Sequence, residues 1–184
     1  MRRLIFVALL VLVITACSSG GIDGFVNSSR CQSIVERLDE NPLPTKRISL
    51  VTGGVATSIT VEVANDEGER SRGLMCRSEV PIGTGMLFEF GGTTTGGFWM
   101  FNTYVPLDII YFDRSGKVAG SAAMLPCSIE DGESEGTWRD RCLAESLEYG
   151  ADSGYAQALE LPADWLLALG FVLNDLPADL HLTQ

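Results

Sequence analysis

Arg72, Arg77, Trp99, Asn102 and Asp108 are the side chains of this 184-residue chain best suited by type to hold a small ligand. Two guanidinium groups grip an anionic or polyhydroxyl molecule through paired N–H donors. An indole adds a stacking face, and an amide with a carboxylate fixes orientation. A second chemistry is hydrolysis, with Asp108 and Glu160 as a carboxylate pair for acid and base work. Nucleophilic catalysis has less to stand on: His181 is the sole histidine, it lies in the carboxy-terminal tail, and no Gly-x-Ser-x-Gly elbow occurs. A cysteine nucleophile lacks a nearby imidazole. Asp108 also has a purely structural use, accepting hydrogen bonds from the proline turn before it or forming a buried fork with Arg72 or Arg77.

These side chains must be placed by strands. Arg47 to Val51, Thr52-Gly53-Gly54 and Val55 to Ala64 read as a hairpin whose second arm alternates apolar and polar residues. Asn65 or Asp66 caps a short helix through Arg72, which Gly73 ends. Met86 to Phe90, Phe98 to Asn102, Leu107 to Phe112, Lys117 to Met124 and Tyr155 to Leu161 read as further strands. Gly91 to Gly97 reads as a supple loop, and Asp113-Arg114-Ser115-Gly116 as a hairpin turn. Pro162-Ala163-Asp164 opens a helix carrying Trp165 and Leu166 that stops at Gly170, and a final strand is expected near Phe171 to Leu173. If residues 98 to 102 form one strand, Trp99 and Phe101 share a face and Asn102 lies on the other. Many short strands with two or three short helices predict a mainly β domain, an antiparallel jelly-roll-like sandwich or barrel, over residues 47–184. A helical extension precedes it at 31–46, with Ile34, Val35 and Leu38 at helical spacing and Asn41-Pro42 as the stop.

The front of the chain speaks to location. Arg2 and Arg3 followed by the apolar run Leu4 to Ile14 form a secretory leader, residues 1–16, too short to span a bilayer. Ile14-Thr15-Ala16-Cys17 resembles a bacterial lipoprotein box, which implies cleavage before Cys17 and acylation of its thiol. Residues 17–30, rich in Gly, Ser and Asn, then serve as a flexible tether. The expected location is the cell envelope, at the periplasmic face of the outer membrane in a Gram-negative host. Four further cysteines allow three disulfide connectivities. Cys127 and Cys142 bracket a polar, acidic insertion and are paired here, which leaves Cys31 for Cys76 and pins the extension to the domain. No C-x-x-C step occurs, so no metal and no cofactor is expected. Met75, Met86, Met100 and Met124 read as core filling. The net charge of −11 repels phosphate backbones and excludes nucleic acid as a natural partner.

Arg72-Gly73-Leu74-Met75-Cys76-Arg77, Gly85-Met86-Leu87-Phe88, Phe98 to Thr103 and Pro106 to Asp113 resemble four ordered motifs of the domain of unknown function 192 family, with Leu159-Glu160-Leu161-Pro162 similar to its carboxy-terminal signature. The resemblance runs from about Ile48 to Leu173 and implies an all-β, jelly-roll-like fold without an assigned activity. Phe101, Cys76 and the insertion between Cys127 and Cys142 depart from the family's pattern. The function expected is a small-ligand-binding or partner-binding module, with a carboxylate-pair hydrolase as the alternative. An envelope protein partner would dock on Trp138 or the acidic insertion.

Overall fold

The computed structural model describes residues 29–151 and 153–184. Cys17, the leader and most of the tether lie outside them. The chain runs α1 (Ser29–Glu40), β1 (Thr45–Thr52), β2 (Val55–Ala64), α2 (Glu67–Arg72), β3 (Thr84–Thr94), β4 (Leu107–Phe112) and β5 (Val118–Met124). It continues through α3 (Glu135–Glu145), a 3-10 turn (Ser146–Tyr149), β6 (Tyr155–Pro162), α4 (Trp165–Ala168), a second 3-10 turn (Leu173–Asp175) and β7 (His181–Thr183).

The mainly β expectation stands, in the form of one seven-stranded sheet with the order β5-β4-β6-β3-β2-β1-β7. The antiparallel expectation fails at one ladder. β2 and β3 pair in parallel, Thr60 opposite Thr84 through Ala64 opposite Phe88, because α2 and the segment after it carry the chain back to start β3 beside the start of that ladder. The sheet is therefore mixed. It also curls. An isolated bridge between Lys117 and His181 and a hydrogen bond from Leu182 N–H to Gly116 O (2.8 Å) bring its two edges together at one end without a continuous ladder. Gly116, at φ 82°, is needed there, since a Cβ would stand 2.4 Å from Leu182 O.

Alternation along the central strands divides the core in two. Ile48, Leu50, Ile59, Val61, Leu87, Ile110, Phe112, Leu159 and Leu161 face inside the curl, where Trp165, Leu166, Leu180 and Leu182 cover them. Met86, Phe88, Ile109, Tyr111 and Ala158 face outward, beneath α1, the segment after α2, the segment before β4 and α3. Both expected disulfides form on this outer side: Cys31–Cys76 ties α1 to the segment after α2, and Cys127–Cys142 ties α3 to the end of β5. Met75, Met86, Met100 and Met124 are all buried in the outer core, as core filling requires.

Three local expectations need correction. Phe98 to Asn102 is not a strand: Gly97 makes a single bridge to Gly150, and the chain then turns with Asn102 in the left-handed region at φ 57°. Much of the glycine-rich loop, Gly91 to Thr94, belongs to β3, whose register against β6 shifts between Glu89 and Thr94. The closing strand is β7 rather than Phe171 to Leu173, where the chain makes a 3-10 turn and Ser121 Oγ donates to Leu173 O (2.5 Å).

Candidate functional site

α2 is set by a full capping box. Asp66 accepts from Glu69 N–H (2.8 Å), Glu69 reaches back to the Asp66 amide (3.2 Å), and Gly73 receives the turn at φ 49°. This fixes the last turn of α2, with Arg70 and Arg72, against the outer face of β3. Arg70 donates to the carbonyls of Asn65 (2.6 Å) and Glu89 (3.1 Å) and lies 5.1 Å over the Phe90 ring.

Opposite α2 stand Phe98 and Trp99. Gly97 makes this possible, because a Cβ there would fall 1.7 Å from Ser146 O. Phe98 packs edge-on against Phe88 (4.7 Å) and Phe90 (6.5 Å), and lies 5.8 Å from Tyr111. Asn102 closes the turn. Its carbonyl accepts from Cys76 N–H (2.8 Å) and its side-chain oxygen from Tyr104 O–H (3.0 Å), so it holds two loops together from a buried position.

The acidic insertion, which the sequence leaves without regular structure, supplies α3. Ser134 caps it, and Arg141 gathers Glu133 and Glu145 at 2.8 and 3.0 Å. Trp138 is 5 % exposed, donates from Nε1 to Cys127 O (2.8 Å) and packs on Phe101 (4.5 Å). It anchors the insertion and offers no docking surface. Arg139, one residue on, sits 5.5 Å over the Trp99 ring.

Arg70, Phe98, Trp99, Arg139, Leu143 and Tyr155 thus enclose an open cleft of about 440 Å³. A recess of about 20 Å³ shares Arg70, Phe98 and Trp99 with it and is lined further in by Arg72, Thr103 and Glu160. Glu160 comes from the middle of β6, in a cross-strand row with Glu62 and Met86. It is 4 % exposed. Burial raises its pKa to about 8, against the opposing pull of Arg77, and among the described residues no hydrogen bond stabilises its ionised form. The buried Nε of Arg72 likewise has no partner among the described residues. None of Arg70, Arg72 and Arg139 lies within 4.0 Å of a described carboxylate.

Of the expected ligand residues, Arg72 and Trp99 meet at this cleft, while Arg77, Asn102 and Asp108 have other work. Arg77 forks onto Glu62, both oxygens at 2.6 Å, and faces a larger groove of about 790 Å³ beside α1. That groove is bigger, and its one cation is already paired with a carboxylate, while the buried Arg77 Nε, like that of Arg72, has no partner among the described residues. Trp99 presents no bare stacking face: Arg139 lies over its ring and Phe101 packs 5.5 Å away.

Asp108 pairs in register with Leu161, next to the pair Ile109 and Glu160, so its side chain faces inside the curl while that of Glu160 faces out. The two carboxylates lie on opposite faces of the sheet and cannot flank one bond. Nor does Asp108 fork with either arginine. Burial and the Asp164 carboxylate raise its pKa to about 6, and a hydrogen bond from the Asp164 backbone opposes them. Arg70 and Arg139 were missed by sequence reasoning, which named Glu160 only as a catalytic partner of Asp108; Glu160 lines the recess from an otherwise apolar strand. Among the described residues, no three His, Cys, Asp or Glu side chains gather as a metal site.

The chain belongs to the domain of unknown function 192 family, Uncharacterized ACR, whose model matches residues 48–175. It is similar to the crystal structure of a proposed transcription regulator from Sinorhizobium meliloti 1021, at 28 % identity and a TM-score of 0.61, over 77 % of this chain and 94 % of that one. It is also similar in fold to a protein of unknown function from Novosphingobium aromaticivorans, at 20 % identity and a TM-score of 0.60, over 78 % and 88 % of the two chains. No curated protein matches the chain significantly.

Proposed function

We propose that this protein is a small-ligand-binding module of the cell envelope, held at the membrane by lipid on Cys17 and taking its ligand in the cleft between α2 and α3. One observation carries the ligand reading. In a chain with 24 acidic and 13 basic residues, two arginines without a described carboxylate partner, Arg70 and Arg139, line one aromatic-walled cleft, and a third, Arg72, lines the small recess that shares Arg70, Phe98 and Trp99 with it. An acidic protein leaves so much positive charge unneutralised where an anionic group is to be received. The curl of the sheet supports a kinship with jelly-roll-like folds, and by fold analogy these bind ligands on a face or at a loop-lined end. A net charge of −11 opposes a nucleic-acid backbone and so does not favour a transcription-regulator role for this chain.

A thermal-shift screen of sugars, peptides and organic acids against the purified protein tests the binding reading. At least one compound raises the melting temperature, and Arg72→Ala weakens that response. A flat screen overturns the reading. The anchor is tested separately. Among the described residues no helix is long and apolar enough to cross a membrane, so Cys17→Ser moves the protein from the membrane fraction to the soluble one if acylation holds it there. Retention at the membrane refutes the anchor.

A further inference from the structure

The open cleft between α2 and α3 has a chemistry of its own, apart from the small recess beside it. In a chain with 24 acidic residues, no described carboxylate lines it. Its two cations, Arg70 and Arg139, are held differently. Arg70 spends Nη1 on the carbonyls of Asn65 (2.6 Å) and Glu89 (3.1 Å), and the Phe90 ring backs the group at 5.1 Å. These contacts fix the guanidinium and leave Nε and Nη2, the edge that forks onto a carboxylate, without a partner among the described residues. Unlike the Nε of Arg72 and Arg77, neither atom is sealed from solvent. Arg139 is exposed, and its side chain has only the Trp99 ring as a described partner. It adds charge without a fixed direction.

The wall is a cluster of rings. Phe90 meets Phe98 and Tyr155 edge-on, at 6.5 and 5.4 Å between centroids, and Phe98 lies 6.5 Å from Tyr155. All three line the cleft, whose volume of about 440 Å³ suits a small molecule. Three hydroxyls of the lining are already turned inward: Tyr155 donates to Gly96 O (3.2 Å), Ser146 to Leu143 O (2.6 Å) and Thr94 to Thr95 O (3.4 Å).

These facts restrict the ligand. A cation meets two guanidinium groups and no counter-charge. An inorganic anion engages Arg70 and leaves the rings unused. A polyol gives up water to a wall that returns few hydrogen bonds. An aromatic ring extends an edge-on cluster, and Arg70 lies close enough to that cluster for a carboxylate on a short arm to reach it.

We infer that the cleft takes an aromatic carboxylate, with the carboxylate forked on the Nε and Nη2 edge of Arg70 and the ring joined to the cluster of Phe90, Phe98 and Tyr155. This rests on the binding-module reading above and names the ligand class for it. It also gives the cysteine-stapled insertion a role. Through Arg139, α3 adds a second positive charge to a site whose anchor is on α2.

Calorimetry on the purified protein with hydrocinnamate, its neutral amide and cyclohexanepropionate tests both halves of the inference without altering the fold. Hydrocinnamate binds about tenfold more tightly than the amide and about threefold more tightly than the cyclohexyl acid. Arg70→Lys keeps the charge but loses the fork, and lowers hydrocinnamate affinity about tenfold. Arg139→Ala, a change on a helix surface, lowers it about threefold and leaves the amide unaffected. The peptide Ala-Ala-Phe, which carries the same ring and carboxylate at its end, is titrated alongside. Tighter binding of hydrocinnamate identifies a free acid as the source of this chemistry, and tighter binding of the peptide identifies a protein carboxy terminus. Equal affinity for the amide means that Arg70 does not read charge, and equal or tighter binding of the cyclohexyl acid means that the rings do not read aromaticity. Either overturns the inference, as does failure of both hydrocinnamate and the peptide. If these fail while another compound from the thermal screen binds, the ligand class falls and the binding module stands.

Discussion

The two faces of the sheet bury the same kind of group in opposite circumstances. On the inner face Asp108 sits at the rim of a closed apolar core, where the Asp164 backbone, turned into the left-handed region at φ 62°, supplies a hydrogen bond. On the outer face Glu160 has no such donor among the described residues, and it lines a small open recess. One carboxyl is a structural fitting of the α4 turn. The other lines a water-sized recess, which a ligand or water can enter. A buried carboxyl beside a cavity, rather than buried polarity as such, marks the site.

The contrast can be broken at its strongest point by truncating the inner core. Phe112 is fully buried inside the curl, and Phe112→Ala should cost about 3–5 kcal/mol in denaturant unfolding. A cost below about 1 kcal/mol would mean that the inner face is not the dry, close-packed layer described. Glu160 supplies the next test. Its folded carboxyl keeps its proton up to about pH 8, whereas an unfolded one releases it near the ordinary glutamate value. The native state therefore binds more protons across that window, and stability falls as the pH rises through it. Glu160→Gln should flatten this decline and stabilise the protein at pH 9 by on the order of 3 kcal/mol. An unchanged pH profile would place Glu160 in contact with water. The smallest effect belongs to the mouth of the cleft. Arg139 touches the Trp99 ring from a helix surface, and Arg139→Ala should change stability by less than about 1 kcal/mol, as read from the melting midpoint. A larger loss would make Arg139 part of the scaffold instead of the site.

What the sequence disclosed follows from how local each feature is. The β1–β2 hairpin is written in Thr52-Gly53-Gly54 and the alternation after it. α2 is written in the cap candidates Asn65 and Asp66 and in Gly73, of which the structure uses Asp66 and Gly73, and both disulfides form as paired. These depend on neighbours a few residues away, or on a small count of cysteines. The parallel pairing of β2 with β3 depends on where the chain returns after α2, which no window of residues encodes. Phe98 to Asn102 alternates like a strand, and only the tertiary contacts of Gly97 and Asn102 turn it aside. α3 hides because Trp138 and Cys142 are its only buried residues, too few for an apolar stripe. Arg72 and Trp99 were legible as site residues by type. Their separation from Arg77 and Asp108 was not, since side-chain alternation assigns a face only after strand registers are known.

The meeting of β7 with the β4–β5 turn carries a consequence for how copies of this protein behave toward one another. Open sheets present unpaired amides to any neighbour able to extend the ladder. Here Ser49 to Val51 is capped by His181 to Thr183, while Lys117 and Gly116 at the far margin engage the same short strand. One three-residue strand thus occupies positions on both borders, leaving fewer free amides for another molecule to join in strand-to-strand aggregation.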